Sequence, residues 1–223
     1  MLGINKLAMV STTLNPSAGC WIMTASRIRW LIIFLIYGAF HLWYGGNGEP
    51  MTEKEVAYYV DLASKVSPDA VERVRQLAST DDGKEFVMVN LNKYRPEPKY
   101  SDGRAVTETS KEVEQRYLSM VVPMLFARAC HPIVVTDPAV TMVGDLEQPR
   151  WERIALARYR SRQDFLEIML NPEFNSGVEH KWAALETSHT MLTVPQIWGF
   201  SIRLAPLLFL LVVGLTLDRY LAK

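Results

Sequence analysis

EFVMVNLNKY, residues 85–94, alternates in the manner of a β-strand. Successive strand side chains point to opposite faces, so the run separates Val87, Val89 and Leu91 from Met88, Asn90 and Asn92. The uniformly apolar set is expected to meet the core and the mixed set to face away from it. A loop, RPEPKYSDGR, follows, and Thr109 with Glu112 then marks a helix start. Val113, Tyr117, Met120, Val121 and Met124 recur at helical spacing up to about Arg128.

Further along, strand signals return. Ile133–Gly144 holds IVV and TMVG broken by Asp137-Pro138, and Trp151–Tyr159 reads WERIALARY, with Ile154 and Leu156 as the better-buried face. Ser161 and Asp164 open another helix, which Asn171-Pro172 interrupts before Phe174, Val178, Trp182 and Leu185 continue it. Ser188–Val194, SHTMLTV, places Thr190, Leu192 and Val194 on one face and His189, Met191 and Thr193 on the other.

Strand, helix, strand, strand, helix, strand is the split βαβ plan of the ferredoxin-like fold, an α+β architecture expected over residues 83–195. Helices on one face of such a sheet leave the other face bare. The bare set is expected to be Met88, Asn90, Asn92, Trp151, Arg153, His189 and Met191, and a second copy packed sheet to sheet would cover it as a homodimer. Residues 50–82 read as a helical N-terminal extension: Thr52 and Glu55 form one capping box, and Ser67-Pro68 opens a second helix carrying Val71, Val74, Leu77 and Ala78.

Both flanks are apolar. WLIIFLIYGAFHLWY lies in a charge-free window from Trp30 to Gly48, and a transmembrane helix is expected over 28–46, with Trp30, Trp43 and Tyr44 suited to the interfaces. A buried core helix and a cleaved signal peptide are the alternatives, although no small-x-small cleavage pattern follows the apolar run. LAPLLFLLVVGLTL, extended back to Ile197, suggests a second span over 197–217, with an interfacial helix as its alternative. Arg27 and Arg29 abut the start of the first apolar run, and Arg219 and Lys223 lie in the tail, 218–223. The positive bias therefore puts both termini in the cytoplasm of a bacterial inner membrane and the middle of the chain on the periplasmic side. Residues 1–27 read as a disordered leader or a mis-assigned start.

Twenty-four basic side chains against 24 acidic ones leave no net charge, which argues against a nucleic-acid partner. Two cysteines, Cys20 and Cys130, cannot make a disulfide framework. His41, His131, His180 and His189 fall on different elements without metal-ligand spacing, and no glycine-rich phosphate loop exists, so neither metal nor cofactor is expected.

The NL-x-KY strand at 90–94 and the W-x-R-x-AL-x-RY-x-S-x-x-x-F run from Trp151 to Phe165 resemble an uncharacterised bacterial branch of the dimeric α/β-barrel superfamily. The resemblance covers roughly Val71 to Val194. It implies the barrel fold and a dimer but no agreed catalytic set; the wider superfamily includes cofactor-free monooxygenases, isomerases, haem-dependent enzymes and stress-response proteins.

Two functions stand open. One is a membrane-tethered homodimer that binds an apolar small molecule through Met88, Asn92, Trp151 and Met191, or serves as accessory subunit of a membrane complex. The other is a cofactor-independent monooxygenase or isomerase acting on a lipophilic substrate. There Asn90, Arg153 and His189 would stabilise an enolate-like anion and move a proton. Each of these residues also has a structural reading: Asn90 and Asn92 as seam hydrogen-bonders, Arg153 as an ion pair, His189 as a hydrogen-bonded histidine.

Overall fold

The computed structural model describes residues 16–137, 142–143, 150–197 and 202–221, with side chains from residue 25 onward. Among the described residues it is a mixed α+β chain of seven α-helices and four strands. Two compact units divide it: the segment up to His41 together with the last segment from Phe200, and Leu42–Gly199.

The first unit pairs α1 (Pro16–Gly45), up to His41, with α7 (Leu204–Leu221). Both are long and apolar enough to be candidate membrane spans, and only 6% of either apolar window is buried. They run antiparallel. At one end the Asp218 carboxylate accepts from Ser26 Oγ at 2.9 Å and Trp30 Nε1 at 2.6 Å and pairs with Arg29; further along, Tyr37 donates to the Arg203 carbonyl. Gly214 permits the close approach, because a Cβ there would sit 2.8 Å from Ile33 Cδ1. Residues 16–27, expected as a disordered leader, are helical, while residues 1–15 lie outside the described set. The second apolar helix begins at Leu204 rather than 197 and runs on through Asp218.

In the second unit, β1 (Phe86–Tyr94), β2 (His131–Thr136), β3 (Arg153–Tyr159) and β4 (Leu185–Thr193) form one antiparallel sheet in the order β2-β3-β1-β4. Of the TMVG half of the expected second strand, Met142 and Val143 lie off the sheet, and 138–141 and 144–149 fall outside the described residues. Helices α4 (Ser110–Ala127), α5 (Arg162–Met169) and α6 (Pro172–Ala184) complete the unit with α2 (Glu53–Val66) and α3 (Val71–Ser79). The anticipated caps form. Thr52 with Glu55 and Thr109 with Glu112 close complete capping boxes, and the Ser161 and Asn171 side chains accept the first free amides of α5 and α6.

Which sheet face meets the helices is a correction. Phe86 and Met88 pack with Val121 and Leu125 of α4 and Ile168 of α5, and Asn92 reaches Glu114 of α4, so the even-numbered side chains of β1 point inward. Residues paired across strands share a face. Arg153, Ala155 and Ala157 of β3 therefore face inward with Asn92, Asn90 and Met88, and Ile154 and Leu156 face outward with Leu91 and Val89. Alternation divides a strand into two sets without saying which one the helices cover. Here both sets are largely apolar, and the large Phe86, Met88 and Tyr159 fill the space under α4.

Tyr44 covers one corner of the outward face. Its hydroxyl lies 2.7 Å from His131 Nε2, and the Arg158 guanidinium stacks 3.8 Å above its ring. Arg158 is nearly fully buried, with its charge met by Glu85 and its other donors by the carbonyls of Ala129 and Tyr44. The extension docks on α5: Tyr59 and Ala63 of α2 and Val74 and Ala78 of α3 enclose Leu166 and Leu170. Gly83, at φ +69°, lets the turn after α3 pass Gly48, whose carbonyl oxygen would lie 2.4 Å from any Cβ. Leu166 has no exposed surface. Leu166→Ala is therefore expected to cost about 2–5 kcal/mol, read as a lowered melting temperature of the purified chain, with α2 and α3 becoming protease-sensitive first.

Candidate functional site

Beneath α4 lies a cavity of about 130 Å³ between helix and sheet. Its wall is apolar, from Leu118, Val121, Val122 and Leu125 of α4 and Pro132 and Val135 of β2. Its polar end holds Asn90, Asn92, Glu114, Arg153 and Lys181, with Tyr117 between the two.

Glu114 organises that end. Its buried carboxylate accepts from Arg153 Nη1 at 2.6 Å, from the Tyr94 hydroxyl, and from Asn92 Nδ2 at 3.4 Å. A carboxylate withdrawn from water needs such partners, and together they orient Arg153 toward the cavity. The guanidinium also approaches Asp137 at 3.6 Å, and that carboxyl is held below its usual range by its bond to Lys111. Burial, reinforced by the bond to Glu114, holds the Tyr94 phenol well above the ordinary tyrosine value. Desolvation raises Tyr117 likewise, so both stay neutral donors.

Lys181 reaches the same cavity from α6. Its ammonium lies 5.8 Å from the Tyr117 ring and 5.3 Å from the Trp182 ring, and among the described residues no carboxylate comes within ion-pair distance. Burial lowers its pKa, partly offset by the field of Glu114.

Of the residues singled out from the sequence, Asn90, Asn92, Arg153 and Met88 lie on the helix-covered side. Asn90 Oδ1 accepts from Thr190 at 3.1 Å and Asn92 Oδ1 from Ser188 at 2.7 Å, so both stitch β1 to β4. Met88 packs in the core, 6% exposed. His189 and Met191 pair with Leu91 and Val89 on the outward face, and Trp151 packs on His189 with ring centroids 4.8 Å apart. His189 therefore cannot share a substrate with Asn90 and Arg153 in one protomer. Trp182, expected in the core, is 52% exposed. Cys130 is fully buried, and burial pushes its thiol up to about 11, leaving it inert at neutral pH. Among the described residues no His, Cys, Asp and Glu cluster fit to hold a metal occurs.

Glu114 and Lys181 had escaped the sequence reading, though a signal for both was present. Glu114 stands three and seven residues before Tyr117 and Val121. Lys181 stands seven after Phe174 and four before Leu185, so each puts a charge on an apolar helical stripe.

RPA0582, a protein of unknown function from Rhodopseudomonas palustris, is similar in structure. It is 23% identical with a TM-score of 0.51 over 57% of this chain and 94% of that one. Methylated RPA0582 aligns at 25% identity with a TM-score of 0.52, over 58% of this chain and 93% of that one. No protein-family model matches the chain, and no curated protein matches it in sequence. The likeness is one of fold and brings no activity with it.

The Lys181 environment sets a pH dependence. Below its lowered pKa the folded state bears the full penalty of a desolvated ammonium. The penalty fades as pH rises from that value toward the unfolded pKa of about 10.4, above which both states are neutral. Lys181→Met is accordingly expected to raise the melting temperature at pH 7 and to bring a smaller gain at pH 10, measured by thermal denaturation at both values.

Proposed function

We propose that this chain is a membrane-anchored homodimer whose ferredoxin-like domain binds a small, largely apolar molecule with one acidic or carbonyl-type oxygen. The cavity beneath α4 carries this reading, since an apolar wall meets a fixed polar end in Asn90, Arg153 and Lys181. Its volume is close to that of the ~150 Å³ apolar cavities that accept a single aromatic ring, which limits the buried part of the ligand to about that size. The succession β1, α4, β2, β3, α5 with α6, β4 and the strand order β2-β3-β1-β4 support the split βαβ plan and with it the dimeric α/β-barrel superfamily.

The outward sheet face supports the dimer. Val89, Leu91, Val134, Ile154, Leu156 and Met191 form an apolar surface that a second copy would cover, with Trp151 and His189 at its margin rather than in a catalytic site. The antiparallel pairing of α1 with α7 supports two spans with both termini on one side, and Arg27, Arg29 and Arg219 at that end favour the cytoplasm. The domain then lies on the periplasmic side, beside the bilayer and any membrane complex it serves.

A second reading is favoured by Lys181. A lysine with a lowered pKa lining the same cavity as Arg153 suits a cofactor-independent isomerase or oxygenase, with Lys181 moving the proton and Arg153 holding the anion. Asn90 retains a role at the cavity wall in this reading, and His189 drops out of it.

Ala155→Leu fills the cavity from the sheet side and is expected to abolish ligand co-purification in native mass spectrometry while leaving the dimer intact. Retained ligand would end the cavity reading. Leu91→Arg is expected to convert dimer to monomer in the same measurement without emptying the cavity, and an unchanged dimer would show that the outward face is not the seam.

A further inference from the structure

A second, larger depression of about 890 Å³ opens between α3, α5, α6 and β4, inside the range of roughly 300–1,000 Å³ typical of small-molecule sites. Arg73, Gln76, Leu77 and Thr80 line it from one side of α3, at helical spacing. Arg162, Phe165 and Met169 do so from α5, Lys181 and Trp182 from α6, and Ser188, Thr190 and Leu192 form the floor along β4.

Two features coincide there. The body of the groove is apolar, through Val74, Leu77, Met88, Phe165, Met169 and Leu192, and the Trp182 indole stands half in solvent at its edge. Its charges are of one sign: Arg73, Arg162 and Lys181 line it and no carboxylate does. The Arg162 guanidinium donates to Thr80 Oγ1 at 2.8 Å and to the carbonyls of Thr80 and Leu77, all neutral acceptors, and among the described residues it makes no ion pair. Among the described residues neither Arg73 nor Lys181 has an ion-pair partner. Three cations around an apolar trough ask for an anion carrying an apolar tail.

We propose that this groove is a binding site for a single-chain amphiphile with an anionic head, a carboxylate or a phosphate, whose tail lies over Phe165, Leu192 and Trp182. The inference goes beyond the cavity reading and does not depend on it. Lys181 alone borders both sites and is for that reason left out of the test. If the apolar helices span a bilayer, as proposed above, such amphiphiles are abundant where the chain resides.

The test uses the full chain in nanodiscs of zwitterionic lipid, photolabelled with a diazirine-bearing long-chain carboxylate and mapped by peptide mass spectrometry. Parallel arms use the matching alkyl phosphate, the alcohol and a zwitterionic lysolipid, with inorganic phosphate as competitor. The carboxylate and alkyl phosphate are expected to label peptides of α3, α5 and β4, and the alcohol and lysolipid to label them at least about tenfold less. Arg73→Glu, at an exposed position without an ion pair, is expected to cut labelling severalfold. Thr190→Trp, which fills the floor, is expected to abolish it in a variant melting at the parent temperature. Stronger labelling by the carboxylate than by the alkyl phosphate would point to a free fatty acid as the source, and the reverse to a phosphorylated lipid. Equal labelling by acid and alcohol, labels elsewhere, insensitivity to both substitutions, or inorganic phosphate competing as strongly as the amphiphile would each overturn the proposal. Ala155→Leu leaves this labelling unchanged, which separates failure here from failure of the cavity reading.

Discussion

Glu114 is a carboxylate placed where water cannot reach it, and much of the second unit is arranged to make that tolerable. Arg153 from β3 supplies the countercharge, while Tyr94 and Asn92 from β1 supply neutral donors. Leaving any one unmade strands a buried charge, which costs far more than the finished network gains. The network therefore sets position more than it adds stability. It holds α4 in one register over the two central strands, aims Arg153 toward the cavity, and occupies the Asn92 amide nitrogen, while the oxygen of that side chain accepts from Ser188 on β4.

The sheet beneath has two apolar faces, and they end differently. The inner one is closed by α4, α5 and α6 around Phe86, Met88 and Tyr159. At one corner of the outer one, the last turn of α1 sets Tyr44 over Arg158 and His131. Over the remainder, Val89, Leu91, Ile154 and Leu156 are half-buried and Val134 and Met191 are exposed. A sheet of this kind is stable only if something apolar completes it. The paired apolar helices pose the same problem: Gly214 lets them touch, Asp218 ties one end to Ser26, Arg29 and Trp30, and most of either apolar window stays unburied.

Local rules made most elements legible before any coordinates. The two capping boxes, the Ser161 cap and the Asn171-Pro172 break each depend on side chains a few residues apart, so Thr52, Thr109, Ser161 and Asn171 mark their helix starts correctly. The alternation of β1 and β4 was equally plain. The site was legible only in part. Asn90 and Arg153 are among the sequence candidates and line the cavity, whereas Glu114 and Lys181 are not among them, because a single charge on an apolar stripe looks like an ordinary boundary residue until its burial is known.

What the sequence alone determined is whatever is decided within a few residues: helix and strand type, where each starts, the two apolar flanks, and the absence of metal-ligand spacing. Tertiary structure decided which face of β1 the helices cover. With Val87, Val89 and Leu91 on one side and Phe86 and Met88 on the other, transfer from water favours both, and only the fit of large side chains against Val121, Leu125 and Ile168 breaks the tie. Strand register, with His189 opposite Leu91 and Arg153 opposite Asn92, set His189 and Met191 on the other face from Arg153, and the helix cover brought Lys181, far off in the chain, to Arg153's cavity.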